Sequence, residues 1–261
     1  MKCSWVLLFW FLLLATPAIV QGQFNCTTNA DDTLTITGYS GSGGSLTIPA
    51  TINGLTVTSI GNYAFENCTN LASVTIPANV VGIGDFAFAG ASLTSVIIAI
   101  ANIGEGAFEG CSSLASVTIA NGDSFLSIEN YAFEDCPILS VVFCTGVAPY
   151  AQSDVFYDDA NVSVYYLPGR SGWSYTFGGV SAFLWNPLIQ TGDSSLGVQS
   201  NQFGFNITGT PFIPVVVEVC TNLANQVWTP VQTMTITNGS CYFSEPFQAN
   251  ASGRFYGLGI P

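Results

Sequence analysis

The 261-residue chain contains no histidine, and its only basic residues are Lys2, Arg170 and Arg254. Without histidine, Ser-His-Asp and Cys-His catalysis are excluded, as is any zinc site that uses an imidazole. Binding nucleic acid requires clustered lysine and arginine to neutralise phosphates, so that class of partner is excluded too. Charge of either sign is sparse, at 7% of residues, and the 16 acidic residues set a formal net charge of −13. Long apolar runs are also lacking. The longest, at 5–18, is interrupted by Thr16 and Pro17 and falls short of the roughly 20 residues of a spanning helix. It follows the basic start Met1-Lys2 and ends in the small residues before Gly22. This pattern predicts a signal peptide over 1–22, an exported mature chain from Gln23, and no membrane span after cleavage.

What the chain does have is apolar material, 49% of all residues, enough to build a core and to exclude disorder. Of eight cysteines, Cys3 would leave with the signal peptide, and the remaining seven are an odd number. That count argues against a simple disulfide framework. No two of them have CxxC spacing, so no metal site is expected from them. Pairing of Cys220 with Cys241 depends on whether their strands are neighbours, which spacing leaves open.

One phrase is written four times between Leu46 and Cys144. It reads I-G-x-x-A-F-x-x-C, then L-x-x-V-x-I after a gap. The copies are IGNYAFENC from Ile60, IGDFAFAGA from Ile83, IGEGAFEGC from Ile103 and IENYAFEDC from Ile128. LASVTI, LTSVII, LASVTI and LSVVFC follow in turn. The phenylalanines Phe65, Phe88, Phe108 and Phe133 are 23, 20 and 25 residues apart. Self-similarity at such a period predicts a solenoid. In each repeat, alternation such as Val74 and Ile76 against Ser73 and Thr75 predicts a strand. Strands stacked across repeats give a parallel sheet with inward ladders. On the other side, Gly permits a bend and a short helical turn brings Ala and Phe into the core. Cys68, Cys111 and Cys136 share one slot, which predicts a column of buried thiols acting as small hydrophobes.

The threonine-rich start, residues 23–40, alternates at Leu34 and Ile36 and is expected to cap the solenoid's N-terminal end. After Cys144 the phrase stops; the run 161–169 reads as one more strand and 171–177 as a short aromatic turn. Short alternating runs at 202–209, 214–221, 228–237, 240–246 and 254–260, separated by Gly, Asn and Pro, predict a small antiparallel sandwich. The expected fold is therefore mostly β. The expected divisions are a signal peptide at 1–22, a repeat domain with its caps at 23–190, and an antiparallel module at 195–261.

The phrase VTSIGNYAFENCTNLASVTIP resembles the BspA-like class of bacterial leucine-rich repeats, over roughly residues 46–144. That resemblance implies a secreted or cell-surface protein and a bacterial host, in which sequons such as Asn67-Cys68-Thr69 carry little meaning. Departures are local: Ala91 for the cysteine, Glu129 for the glycine, Ala99 and Ala120 for the proline after the strand. The run 161–169 is similar to the closing segment of such arrays. The stretch VEVCTNLANQVWTPVQT, with NGSCYFSEP and GRFYGL after it, resembles a small C-terminal β module of verrucomicrobial secreted proteins. Gly257 stands where that module often has arginine.

Two carboxylates are the minimum for glycoside hydrolysis. The candidate pairs are Glu134-Asp135, Asp158-Asp159, and Glu105 with Glu109. Glu66, Glu109 and Glu134 recur with the repeat, as a solvated face does. Asp154, Asp158 and Asp159 offer oxygens to calcium but lack the glycine and closing glutamate of an EF-hand loop. No catalytic residue, cofactor or metal is expected, and the chain is not expected to be an enzyme. The better candidate site is the outward sheet face: Thr47, Ser73, Thr75, Ser95, Ile97, Ser116, Thr118, Val141 and Phe143. Solenoids bind through such surfaces, and this one is neutral, suited to protein or glycan. The expected role is non-catalytic binding or adhesion. A structural component of a matrix or envelope is the alternative, then a surface- or ice-binding variant, and last a carbohydrate-active enzyme.

Overall fold

The computed structural model describes residues 23–99, 101–124, 126–247 and 253–259. The expected signal peptide lies outside the described residues. Every regular element described is a β-strand.

The solenoid has three sides. The broad side is a sheet whose neighbours in order are Gly44–Thr47, Leu71–Ile76, Ser95–Ile98, Ser116–Ile119, Val141–Cys144, Ser163–Tyr166 and Val180–Leu184, with Thr176–Phe177 at its end. Its repeat strands are parallel and in register: Val74 lies beside Val96, then Val117, Val142, Val164 and Ala182. These residues face inward and are buried, because period-2 alternation sends every second side chain to the core. The unequal spacing of the phrases does not disturb the register, so the extra residues lie in the connections between strands. The second side is a narrower sheet in which Ile36, Ile60, Ile83, Ile103 and Ile128 form a buried ladder.

The third side corrects the expectation of a short helical turn. It is a ladder of non-helical turns, with left-handed backbone at Tyr63 and Asn67, Phe86 and Gly90, Gly106 and Gly110, and Tyr131 and Asp135. Left-handed residues placed every fourth position cannot sit in a right-handed helix. They aim alternate N–H groups along the solenoid axis. Those of Tyr63, Phe65 and Asn67 donate to the carbonyls of Asp85, Ala87 and Ala89 in the next coil. Those of Ala64, Glu66 and Cys68 donate three residues back. Half of the backbone bonds thus close a turn and half tie coil to coil, so stacking satisfies groups that a helix would have satisfied internally.

Inside these three sides the phenylalanines stack nearly parallel. Ring centroids are 4.7 Å apart for Phe65–Phe88, 5.1 Å for Phe88–Phe108 and 5.2 Å for Phe108–Phe133. Phe156 adds a fifth ring at 5.6 Å. Beside them runs the cysteine column: Cys68 is half-buried, Ala91, Cys111 and Cys136 are buried, and all of the described cysteines are free thiols. The Cys111 thiol donates to the Phe88 carbonyl at 3.2 Å and that of Cys136 to the Phe108 carbonyl at 3.3 Å. Burial pushes the Cys111 thiol up to about 12, so it stays a neutral packing group.

The N-terminal hairpin pairs Phe24–Thr28 with Leu34–Tyr39, and Tyr39 meets the exposed end of the stack at 5.3 Å from Phe65. At the far end, Trp173 stacks on Tyr166 at 4.7 Å. Beyond it lie two antiparallel sheets. One joins Leu188–Ile189, Gly197–Gln199, Gln202–Thr208 and Ser240–Pro246; the other joins Thr229–Thr235, Pro214–Cys220 and Phe255–Gly259. They share an apolar core containing Phe205, Ile207, Val215, Val217, Ile236 and Phe243. Glu245 there pairs with Arg254 at 3.1 Å and accepts the Tyr256 hydroxyl. Cys220 and Cys241 belong to different sheets and remain unbonded.

Candidate functional site

Register turns the outward face of the broad sheet into two columns. One runs Ser45, Ser73, Ser95, Ser116, Val141, Ser163, Ser181. The other runs Thr47, Thr75, Ile97, Thr118, Phe143, Tyr165, Phe183. The second column changes character after Thr118, and the structure shows why. Phe143 and Tyr165 are buried in the same apolar core as Phe205 and Phe243, with Val141, Phe183 and Trp185 packed against it. The Trp185 indole donates to the Pro214 carbonyl at 2.9 Å, and the Tyr165 hydroxyl to the Phe212 carbonyl at 3.4 Å. The C-terminal sheets are seated on this half of the face.

Two candidate residues are therefore corrected. Phe143 is buried and Val141 half-buried against this core; they dock the C-terminal sheets, because a phenylalanine beside a tyrosine and another phenylalanine forms an apolar strip that must be covered. The other seven candidates remain accessible. Thr47 and Ile97 are exposed, and Ser73, Thr75, Ser95, Ser116 and Thr118 are partly so. Ser73 donates to Ser45 at 2.9 Å, the one described cross-strand bond between side chains of these columns. Strands about 4.8 Å apart and alternate residues about 6.6 Å apart make this a small, regular, uncharged grid. The structural candidates Phe65, Phe88, Phe108, Phe133, Cys68, Cys111 and Cys136 all lie in or against the solenoid core.

Among the acids, Glu134 is raised from its usual range, first by burial and then by Glu109, Asp135 and Asp158. Like charges thus line up along the turn ladder, as expected of a repeating face. Asp159 is different. It occupies the slot after Asp158 that Cys136 occupies after Asp135, and it is only 5% exposed. Neither carboxylate oxygen has a hydrogen-bond partner. Its pKa is pushed up to about 7, by burial first and then by Asp135, Asp158 and Glu134. The Cys136 N–H opposes the shift but does not reach hydrogen-bond geometry. The sequence signal was present in Val155-Phe156 and the acid three residues on, a degenerate A-F-x-x-C.

An unfolded aspartate titrates near 4. Between about 4 and 7 the folded chain keeps a proton that the unfolded chain has lost, so stability falls as pH rises through that window and stays lowered above it. Asp159→Asn is expected to melt higher than the native chain at pH 8, with that advantage gone at pH 4. Thermal unfolding at the two pH values checks this.

Among the described residues, no group of three or more His, Cys, Asp or Glu side chains is placed to hold a metal ion, and no helix is long and apolar enough to cross a membrane. Residues 42–163 match the model of the BspA type leucine rich repeat region, in six copies. No curated protein matches. Among solved structures, a leucine rich repeat protein of T. pallidum is 23% identical, with a TM-score of 0.38, covering 59% of this chain and 86% of its own. A leucine rich cell surface protein of Faecalibacterium prausnitzii is 18% identical, with a TM-score of 0.22, covering 55% and 74%. A leucine-rich repeat protein of Bacteroides ovatus is 16% identical, with a TM-score of 0.21, covering 55% and 63%.

Proposed function

We propose that this chain is an exported, non-catalytic binding protein whose solenoid presents a neutral hydroxyl grid to a protein or glycan at the cell surface. The observation that carries the reading is the division of one continuous sheet face. The apolar half is covered by the C-terminal sheets, while the half bearing Thr47, Ser73, Thr75, Ser95, Ile97, Ser116 and Thr118 is left open. The match of residues 42–163 to BspA type repeats supports a binding or adhesion role. Hydroxyls at fixed spacing hydrogen-bond to hydroxyl- or amide-rich partners in either direction, since each is both donor and acceptor. Ile97 supplies an apolar spot at the centre of the grid.

The test begins by screening the mature chain, residues 23–261, on a glycan array and in pull-downs. A Thr75→Glu/Thr118→Glu variant is then measured against whatever is captured. Binding is expected to weaken by about tenfold or more, which corresponds to about 1.4 kcal/mol, while the melting temperature stays near that of the native chain. Undiminished binding by the folded variant removes the grid from consideration.

A further inference from the structure

The turn ladder is a different side of the solenoid from the hydroxyl grid, and it carries rings that folding does not account for. Tyr63, Phe86, Gly106 and Tyr131 share one slot, their N–H groups donating to the Asp85, Glu105, Asn130 and Asp154 carbonyls of the following coils. All four are left-handed, with φ of 60°, 55°, 57° and 60°. Glycine adopts that backbone at no steric cost, whereas an aromatic residue does so only under strain. Nor do the rings fill the core, for Tyr63 is exposed and Phe86 and Tyr131 are partly so. Strain retained without a packing gain points to use.

The rings form a strip. Tyr63 and Phe86 stack at 5.4 Å, and Phe86 reaches over Gly106, where a Cβ would collide with its ring. Tyr131 meets the exposed Tyr157 edge-on at 5.9 Å in the coil beyond. The strip therefore crosses five coils, about 19 Å at the spacing of stacked strands.

Acids flank it on every coil but none of the bases do. Glu66, Glu105, Glu109, Glu134, Asp135 and Asp158 lie on the same turns and are exposed or partly exposed. Between Lys2 and Arg170 the chain has no basic residue. Both described arginines are engaged elsewhere, Arg170 with Asp123 at 3.0 Å and Arg254 with Glu245 at 3.1 Å. Like charges on adjacent coils repel, and nothing within the described chain offsets them.

We propose that the turn ladder is a docking surface for a cationic polypeptide segment, its lysine or arginine stems lying on the ring strip and its charged heads reaching the flanking carboxylates. Long basic side chains are suited to this, because their stems pack on apolar surface while the heads stay at the polar edge. Charge complementarity selects the sign of the partner, and the rings select a side chain over a bare ion. An extended segment of about six residues spans the strip.

The experiment titrates the full mature chain with an acetylated decapeptide of alternating Arg and Gly, in about 50 mM and about 500 mM NaCl. A peptide with Ser in place of Arg is the control. The native chain is expected to bind the Arg peptide alone, and more weakly at the higher salt. Tyr63→Gly/Phe86→Gly, which reproduces the residue at position 106 in the same slot, leaves the net charge unchanged. It is expected to fold and to bind about fivefold or more weakly. Glu109→Gln/Glu134→Gln, confined to the surface, is expected to lose as much. Asp31→Asn/Asp32→Asn, which removes two charges from the exposed turn of the N-terminal hairpin, is expected to bind as the native chain does. No binding by the native chain, or equal binding of the Ser peptide, overturns the proposal. So does undiminished binding by the folded ring variant, or an equal loss in the hairpin variant, since either reduces the attraction to net charge.

Discussion

Phe108→Ala is expected to lower the melting temperature by about 10 °C or more, corresponding to a loss of about 3–5 kcal/mol. The magnitude follows from position. Phe108 is fully buried and lies between two rings, 5.1 Å from Phe88 and 5.2 Å from Phe133. Truncation removes packing on both sides at once. The backbone around it is bonded along the solenoid axis, with the Phe108 N–H donating to the Ala132 carbonyl at 2.8 Å. That bond restrains the coils from collapsing into the space left behind, and a cavity that cannot collapse costs most. Phe108→Leu, which keeps most of the volume, is expected to lose much less. In a solenoid each coil contacts only its neighbours, so a weak central coil uncouples the two halves. Unfolding of Phe108→Ala is therefore expected to broaden as well as shift. An unchanged melting temperature would exclude a continuous stack.

The stack and the strand ladder were legible in the sequence because both are written with a period. Phe65 through Phe133 and the L-x-x-V-x-I phrases announce equivalent positions, and equivalent positions in a solenoid are neighbours. The turn ladder was misread because A-F-x-x-C has the look of a helical turn. The evidence against a helix was there in part, since Gly90, Gly106 and Gly110 share their slots with Phe86, Asn67, Tyr63, Tyr131 and Asp135. Glycine at a left-handed position is readable; a tyrosine or phenylalanine forced into the same backbone by its stacked neighbours is not. Asp159 was named among the acids, but its buried slot was missed for a related reason. The fifth coil keeps the ring at Phe156 but replaces the alanine with Val155 and the cysteine with an acid, so only stacking reveals the shared slot.

The open face was half legible. Alternation identified the outward positions, and the shift from Ser and Thr to Val141 and Phe143 was visible, but its meaning depended on a contact with residues some 60 to 100 positions later in the chain. Local pattern reports that a residue points outward from its own sheet; it does not report what lands on it.

That contact yields the sharpest contrast available within one column. Phe143→Ala is expected to cost about 3–5 kcal/mol, as for a buried core phenylalanine, whereas Thr118→Ala, one strand away in the same column, stays within about 0.5 kcal/mol. Phe143 is 3% exposed and meets Trp185 edge-on at 5.5 Å, and Trp185 in turn holds the Pro214 carbonyl. Removing the ring therefore loosens the seat of Pro214–Cys220, the central strand of its sheet. The loss is expected to appear first in the C-terminal sheets. Limited proteolysis should cut within 195–261 while the solenoid coils remain protected, and the Trp185 emission should shift to the red as water reaches it. If Phe143 instead lay on a free binding face, the same substitution would leave the melting curve and the proteolysis pattern unaltered. The measurement thus decides whether the change of chemistry along the column marks a ligand site or the seat of the chain's own C-terminal module.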